Sequence, residues 1–253
     1  MSGHSKWSTI KHKKGAADAK RGQLFTKLAR EIMVATRSGD ANPEMNFRLR
    51  LAVDNARSLN MPKDNIERAI ARGSGVGDDS AVLEEISYEA YAPGGAGIIV
   101  QALTDNKNRT AAEVRAQITR AGGNLAGAGA VSWNFENKGL ITVEVNDGDP
   151  DDVALEIVDA GAEDVEVDGN TVQITAGFEE FQQVKTDVEA IAGITVESGD
   201  IALVPTTLVP LDDKGAMQTL RLLDALEELD DVSKVYSNGD FSDSVLEKYA
   251  SDD

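Results

Sequence analysis

The hydrophobic period of this chain changes once, at the stretch GSGVGDDSAV that begins at Gly73. Ahead of it, apolar residues recur at the 3.6-residue spacing of a helix; behind it they alternate or fall in short runs between turn signals, as strands require. A Gly/Asp linker at such a switch marks a domain boundary. From Lys20 to Ser38, Leu24, Phe25, Leu28, Ile32 and Ala35 fall on one arc of a helical wheel, with Lys20, Lys27, Arg30 and Arg37 on the other. Gly39 stops that helix. Asn42 reads as an N-cap with Pro43 at the first helical position, and Met45, Leu49, Ala52, Val53 and Ala56 supply the stripe of a second helix. Pro62 opens a third, with Ile66, Ala69 and Ile70 inward. Three amphipathic helices with short connections predict a small bundle.

Behind the linker, EISYEAY and GIIVQALT read as strands joined by the turn APGG, followed by a helix from Arg109 to Ala121 in which Ala112, Val114, Ile118 and Ala121 form a moderately patterned stripe, and a short strand AVSWNF. GLITVEV, DDVALEIVDAG, DVEVDG, NTVQITA, EEFQQVKTDVEAIAG and ITVESGDIALVP then read strand, helix, strand, strand, helix, strand, the split-βαβ order of a ferredoxin-like domain. The Leu-rich helix carrying Leu220, Leu223, Leu226 and Leu229, and the strand from Val232 to Tyr236, complete the unit that the inserted segment interrupts. The expected fold is α+β and multidomain: an N-terminal three-helix domain plus two αβ-sandwich, ferredoxin-like domains, one of them discontinuous. The expected bounds are 1–77 for a basic arm and helical domain, 78–131 together with 205–240 for the discontinuous sandwich, 132–204 for the inserted one, and 241–253 for an acidic C-terminal tail.

Charge follows the same boundary. The chain has 253 residues and a formal net charge of -19, yet residues 1–72 carry 15 Lys and Arg against 7 Asp and Glu. The head is therefore strongly positive, and the rest holds ten cations against 37 anions. Such a sign change points to a localised polyanion-binding surface, with an acidic body that repels phosphates and limits where nucleic acid lies. Residues 3–15 have Trp7 and Ile10 as their only large apolar side chains, too few for a core, so an extended basic arm is expected there. Lys6, Lys11, Lys13 and Lys14 suit phosphates, His4 and His12 can donate or stack, and Trp7 offers a flat face to a base or an anchor to the bundle. A solubility role for the acidic body, or salt adaptation, is the alternative reading.

Other functions are excluded or disfavoured by what the chain lacks. Zero cysteines rule out disulfides, thiolate nucleophiles and Cys-built zinc sites, in keeping with a cytoplasmic protein. No run approaches the roughly 18 apolar residues of a membrane span, and no apolar signal region follows Met1. The only two histidines sit eight apart in the basic arm, where no third group would orient them for triad chemistry. GAGAVS at 127–132 resembles a phosphate loop, but a helix precedes it and a strand follows, the reverse of a dinucleotide site. DGDPDD at 147–152 lacks the glycine and the twelfth-position Glu of a calcium loop. The chain is expected to be no enzyme and to need no cofactor or metal.

Three further strings, with the opening GHSKWSTIKHKKGAADAKRGQLFTKLAREI, carry a resemblance: LNMPKDNIERAIARGSG, YEAYAPGGAGIIVQALTDNKNRTAAEVRAQITRAGGNLA and FENKG. Along essentially its whole length the chain resembles the YebC/PmpR family. The resemblance implies a three-domain protein with a helical N-terminal domain, long labelled a probable transcriptional regulator with DNA-binding activity. It also implies a ribosome-associated factor that assists translation through proline-rich stretches, and the family's mitochondrial relatives are translational activators. The family's opening motif maps its basic positions onto Lys6, Lys11, Lys13, Lys14, Lys20 and Arg21, with His4, Trp7 and His12 beside them. Its second string maps onto Tyr88, Tyr91, Pro93, Gly94, Gly95, Thr104, Asp105, Asn106, Asn108, Arg109 and Thr110.

That second string has a physical reading of its own. TDNKNRT opens a helix, so Asp105, Asn106 and Asn108 are possible caps. Lys107 and Arg109 place cations where the helix dipole disfavours them, which suggests an external anion, and Lys107, Asn108 and Arg109 form a secondary RNA-contact site in that reading. The combined expectation is a head whose His4, Lys6, Trp7, Lys11, His12, Lys13, Lys14, Lys20, Arg21, Lys27, Arg30 and Arg37 clamp nucleic acid. tRNA or rRNA on the ribosome is preferred; promoter DNA, and an acidic protein bound in place of nucleic acid, are the alternatives.

Overall fold

The computed structural model describes residues 18–75 and 83–252, with side chains from 21 to 75 and from 83 to 251. Three helices, α1 (Asp18–Arg37), α2 (Phe47–Ser58) and α3 (Lys63–Gly73), form the head. Leu28, Ile32 and Ala35 of α1 meet Leu49, Val53 and Ala56 of α2 and Ile66 and Ala69 of α3 in one core. Helices α1 and α3 approach so closely that a Cβ on Gly73 would lie 2.7 Å from the Met33 carbonyl oxygen. The second helix begins four residues later than Asn42-Pro43 suggests. Asn46 caps it, accepting from the Leu49 N–H at 3.1 Å while its amide donates to the carbonyls of Ala35 and Asp40. Asn42 instead accepts from the Glu44 N–H in a local turn, which leaves Met45 exposed rather than in the apolar stripe.

Strands β1 (Glu84–Tyr91) and β2 (Gly97–Thr104) form an antiparallel hairpin in register from Glu84 opposite Thr104 to Tyr91 opposite Gly97. Helix α4 (Lys107–Arg120) then crosses to a short strand, β3 (Asn124–Ala126), which pairs with β1. In α4 the buried residues are Thr110, Val114 and Ile118, while Ala112 faces solvent. AVSWNF is not a strand: Ser132–Asn134 is one turn of 3-10 helix, and β4 (Phe135–Val145) begins at its last residue.

The chain next builds a second sheet from β4, α5 (Pro150–Asp159), β5 (Asp164–Asp168), β6 (Thr171–Gly177), α6 (Phe181–Glu189) and β7 (Ile194–Pro205). Its order is β5-β6-β4-β7, antiparallel throughout, with the first and third strands central, as the split-βαβ reading requires. Phe181 is fully buried against β4, and only a glycine fits beneath it: a Cβ on Gly139 would sit 2.1 Å from the ring.

The chain returns through β8 (Val209–Pro210), α7 (Asp213–Glu227), β9 (Val232–Ser237), β10 (Gly239–Asp240) and α8 (Asp243–Asp252). β9 pairs with β2, so the first sheet has the order β3-β1-β2-β9. Its central pair is the hairpin, a different winding from the second sheet although both are antiparallel with helices packed on one face. Val114 and Ile118 of α4 and Leu220 and Leu223 of α7 pack with Ile98 and Val100 of β2. Residues 241–252 are no tail: Phe241, Val245, Leu246 and Tyr249 join that same core, an apolar stripe strong enough to dock the acidic helix.

The three units touch. Ile99 and Tyr236, on the other face of the first sheet, pack with Val131 and Phe135 and against Ala202 and Leu203 of β7. Leu51 of α2 enters the core of the second sandwich, and Phe47 meets Phe181 edge-on with centroids 6.5 Å apart. The head is therefore held by packing as well as by the linker.

Candidate nucleic-acid interface

The cations expected to face nucleic acid divide into three groups. His4, Lys6, Trp7, Lys11, His12, Lys13 and Lys14 lie outside the described residues, as does the side chain of Lys20. Arg21 and Arg37 are on α1 with exposed side chains. Lys27 and Arg30 are turned onto the acidic body, and here the sequence reading needs correction.

The physical reason lies at the C-terminal end of α7. The last carbonyls of a helix have no partner within it and carry the negative end of the dipole. Lys27 Nζ donates to the Glu227 carbonyl, and Gln23 donates to the Glu228 carbonyl at 2.7 Å and to Asp230 Oδ1 at 2.9 Å. Arg30 donates to the Asp230 carbonyl at 2.6 Å and to Asp231 Oδ1 at 3.0 Å. The cationic face of α1 thus closes the end of another domain's helix.

Asp231 is the centre of this joint. Its side chain is 3% exposed, and its second oxygen accepts from Arg109 at 2.7 Å, Thr110 at 2.8 Å and Thr104 at 3.1 Å. Burial alone would raise the pKa of this carboxyl; Arg109 and the two hydroxyls reverse that and hold it below the usual carboxylate range. Arg109 also pairs with Asp105 at 2.8 Å, and Lys107 pairs with Glu84 at 2.5 Å. The cations that oppose the α4 dipole have anionic partners inside the chain, so their placement no longer calls for an external anion. Asn106 caps α4 by accepting from the Arg109 N–H at 3.1 Å, while Asn108 stays exposed.

A second junction joins all three units. Lys234 of β9 forms an ion pair with Asp200 of β7, and both act on Glu31 of α1. Burial raises the Glu31 carboxyl to about 7, with Lys234 opposing the shift and Asp200 adding to it. Tyr236 beside them is pushed up to about 12 by burial.

Sequence reasoning missed two cations that the fold leaves open. Arg68 and Arg72 stand one turn apart on the exposed side of α3, and neither makes an ion pair or hydrogen bond with another described residue. Their i,i+4 spacing is legible, but the apolar stripe of α3 drew the reading inward. Among the described residues, no group of three or more His, Cys, Asp or Glu side chains is placed to hold a metal ion, and no helix is long and apolar enough to cross a membrane.

Fold and site define a class: a charge-segregated protein with a basic helical head seated on two acidic antiparallel αβ sandwiches. Residues 5–76 match the model for the TACO1/YebC protein N-terminal domain, and residues 83–239 match the TACO1/YebC second and third domain. The chain belongs to the TACO1/YebC family. A probable transcriptional regulatory protein of Dehalococcoides mccartyi is 51% identical over 99% of both chains. Another of that description from Roseiflexus castenholzii is 50% identical over 99% of this chain and all of its own. The crystal structure of a conserved hypothetical protein from Aquifex aeolicus superposes with a TM-score of 0.81 at 44% identity, covering 89% of this chain and 93% of that one.

Proposed function

We propose that this chain is a non-enzymatic regulator of gene expression that binds structured RNA, tRNA or rRNA at the ribosome, through its basic N-terminal region. The observation that carries the reading is the segregation of charge between a cationic head and a strongly anionic body. A long duplex lying along the molecule would meet the body's negative field, whereas a compact RNA element can be gripped from one side. The grip falls to residues 4–21 and to Arg68 and Arg72, because Lys27 and Arg30 are engaged within the chain. Base-edge reading of DNA calls for a helix that offers a patterned set of Arg, Asn and Gln to the groove. On α3 the open face carries Arg68 and Arg72 beside Asp64 and the ion-paired Lys63 and Glu67, a set without the Asn and Gln of base-edge reading.

Promoter DNA binding is the second reading, favoured by the names that the relatives carry. A salt series on the full chain separates them. Binding of tRNA is expected to be tighter than binding of a DNA duplex of similar length, with a log-log salt slope of about -0.7 to -0.9 per phosphate contact. Reversing Lys11, Lys13 and Lys14 to Glu should flatten that slope. Sequence-selective duplex binding, with tRNA no better than random DNA, would favour the promoter reading.

A further inference from the structure

The first sandwich spends a buried carboxylate on a surface loop. Glu89 of β1 is 9% exposed, and its two oxygens accept from the backbone N–H groups of Gly129 at 2.7 Å, Val131 at 2.6 Å and Ser132 at 3.1 Å. Burial would raise this carboxyl; the three backbone donors, with the Ser132 side chain, outweigh it and hold the group charged below its ordinary range. The loop so fixed carries Trp133, 74% exposed, beside Tyr91 of β1, 40% exposed. The Trp133 indole N–H and the Tyr91 hydroxyl both donate to the Ala130 carbonyl at 3.0 Å, which makes the two rings neighbours. With both donors spent on one carbonyl, what Trp133 presents to solvent is almost entirely ring carbon.

The surroundings are equally specific. In a chain that is 27% charged, no charged residue occurs from Ala90 to Thr104 or from Ala121 to Phe135, the two stretches that meet at this end of the sheet. The patch lies at the Tyr91–Gly97 end of the hairpin, and the head is tied to the opposite end at Thr104 and Asp231, roughly 25 Å away along eight residues of strand.

We propose that Trp133 and Tyr91 form a stacking site for an unpaired nucleobase. It rests on the RNA reading above and adds a second contact to it. Free ring faces with spent polar edges recognise a base by stacking and tolerate any of the four. The two stretches themselves carry no cation, so the contact the rings offer is stacking rather than phosphate pairing, and a base that projects from an RNA end or loop suits it. Size favours a base over a protein: a stable protein interface covers about 800 Å² on each side. The other exposed large apolar side chains, such as Leu155 and Val158 on α5, belong to other units.

The test compares binding of the full chain to an RNA hairpin with and without a short single-stranded 3′ tail, across a salt series. Trp133→Ala should weaken binding of the tailed hairpin on the order of tenfold and leave its salt slope unchanged, with Trp133→Phe recovering most of the loss. If Trp133→Ala treats tailed and untailed hairpins alike while the Lys11, Lys13 and Lys14 reversals still weaken both, the stacking site is overturned and the RNA reading stands. If the wild-type chain binds neither hairpin, both fall. A photoreactive residue at position 133 is expected to crosslink RNA in cells; adducts with protein alone would overturn the site in favour of a protein-docking face.

Discussion

Two buried carboxylates, at opposite ends of one four-stranded sheet, solve the same desolvation problem in different ways. Asp231 takes its compensation from side chains of other elements: Arg30 from the head, Arg109 and Thr110 from α4, and Thr104 from β2. Glu89 takes its own from three consecutive-region backbone N–H groups of a single loop. A charge satisfied by distant side chains ties domains together, because each partner lost leaves another uncompensated. A charge satisfied by one loop's amides shapes that loop, whose Val131 packs towards β7, without drawing a side chain from another domain to the carboxylate. The basic head is locked at the first end, and the second end is left to present two aromatic rings.

Breaking the two carboxylates should therefore produce different damage. Asp231→Ala removes the shared acceptor of two guanidinia, Arg30 and Arg109, and of the Thr104 and Thr110 hydroxyls, and is expected to cost about 3–5 kcal/mol, with amide exchange rising in both α1 and α4. Glu89→Gln keeps one acceptor oxygen and should cost about 1–3 kcal/mol, with faster exchange confined to the amides of Gly129, Val131 and Ser132. Exchange that spreads into the head on Glu89→Gln, or stays local on Asp231→Ala, would contradict the distinction.

Glu31 sharpens the comparison because its balance runs the other way. Asp231 and Glu89 have lowered pKa values, so the stability they contribute is present above the unfolded carboxylate range and is lost as pH falls through their folded values. Glu31 is raised to about 7, so its neutral form favours the fold, and that contribution is lost as pH rises from about 4.5 through 7. Glu31→Gln should raise stability at pH 8 by up to about 3 kcal/mol and change little at pH 5. Urea unfolding at the two pH values reads this directly; an equal effect at both would show that Glu31 is charged throughout.

Much of this architecture is written locally. The stripe of α1, the split-βαβ order of the inserted sandwich and the turn at Pro93-Gly94-Gly95 follow from spacing that a single element imposes. The errors have long-range causes. Asn42-Pro43 has the local form of a helix start, but Asn46 wins the cap because its amide also reaches Ala35 and Asp40. Lys27 and Arg30 look like a solvated face until residues 227–231, some 200 positions away, close over them. Ser132 and Trp133 alternate like a strand, but Glu89 draws the local backbone into a turn. The C-terminal helix was legible in Phe241, Val245, Leu246 and Tyr249, and its acidic residues obscured that stripe.

The most direct test of the RNA-binding head is crosslinking in growing cells, with sequencing of bound RNA and DNA, for wild type beside the Lys11→Glu, Lys13→Glu, Lys14→Glu variant. Crosslinks to tRNA or ribosomal RNA that vanish in the variant are the expected result. Discrete promoter DNA peaks without ribosomal signal, or no nucleic-acid signal at all, would contradict it.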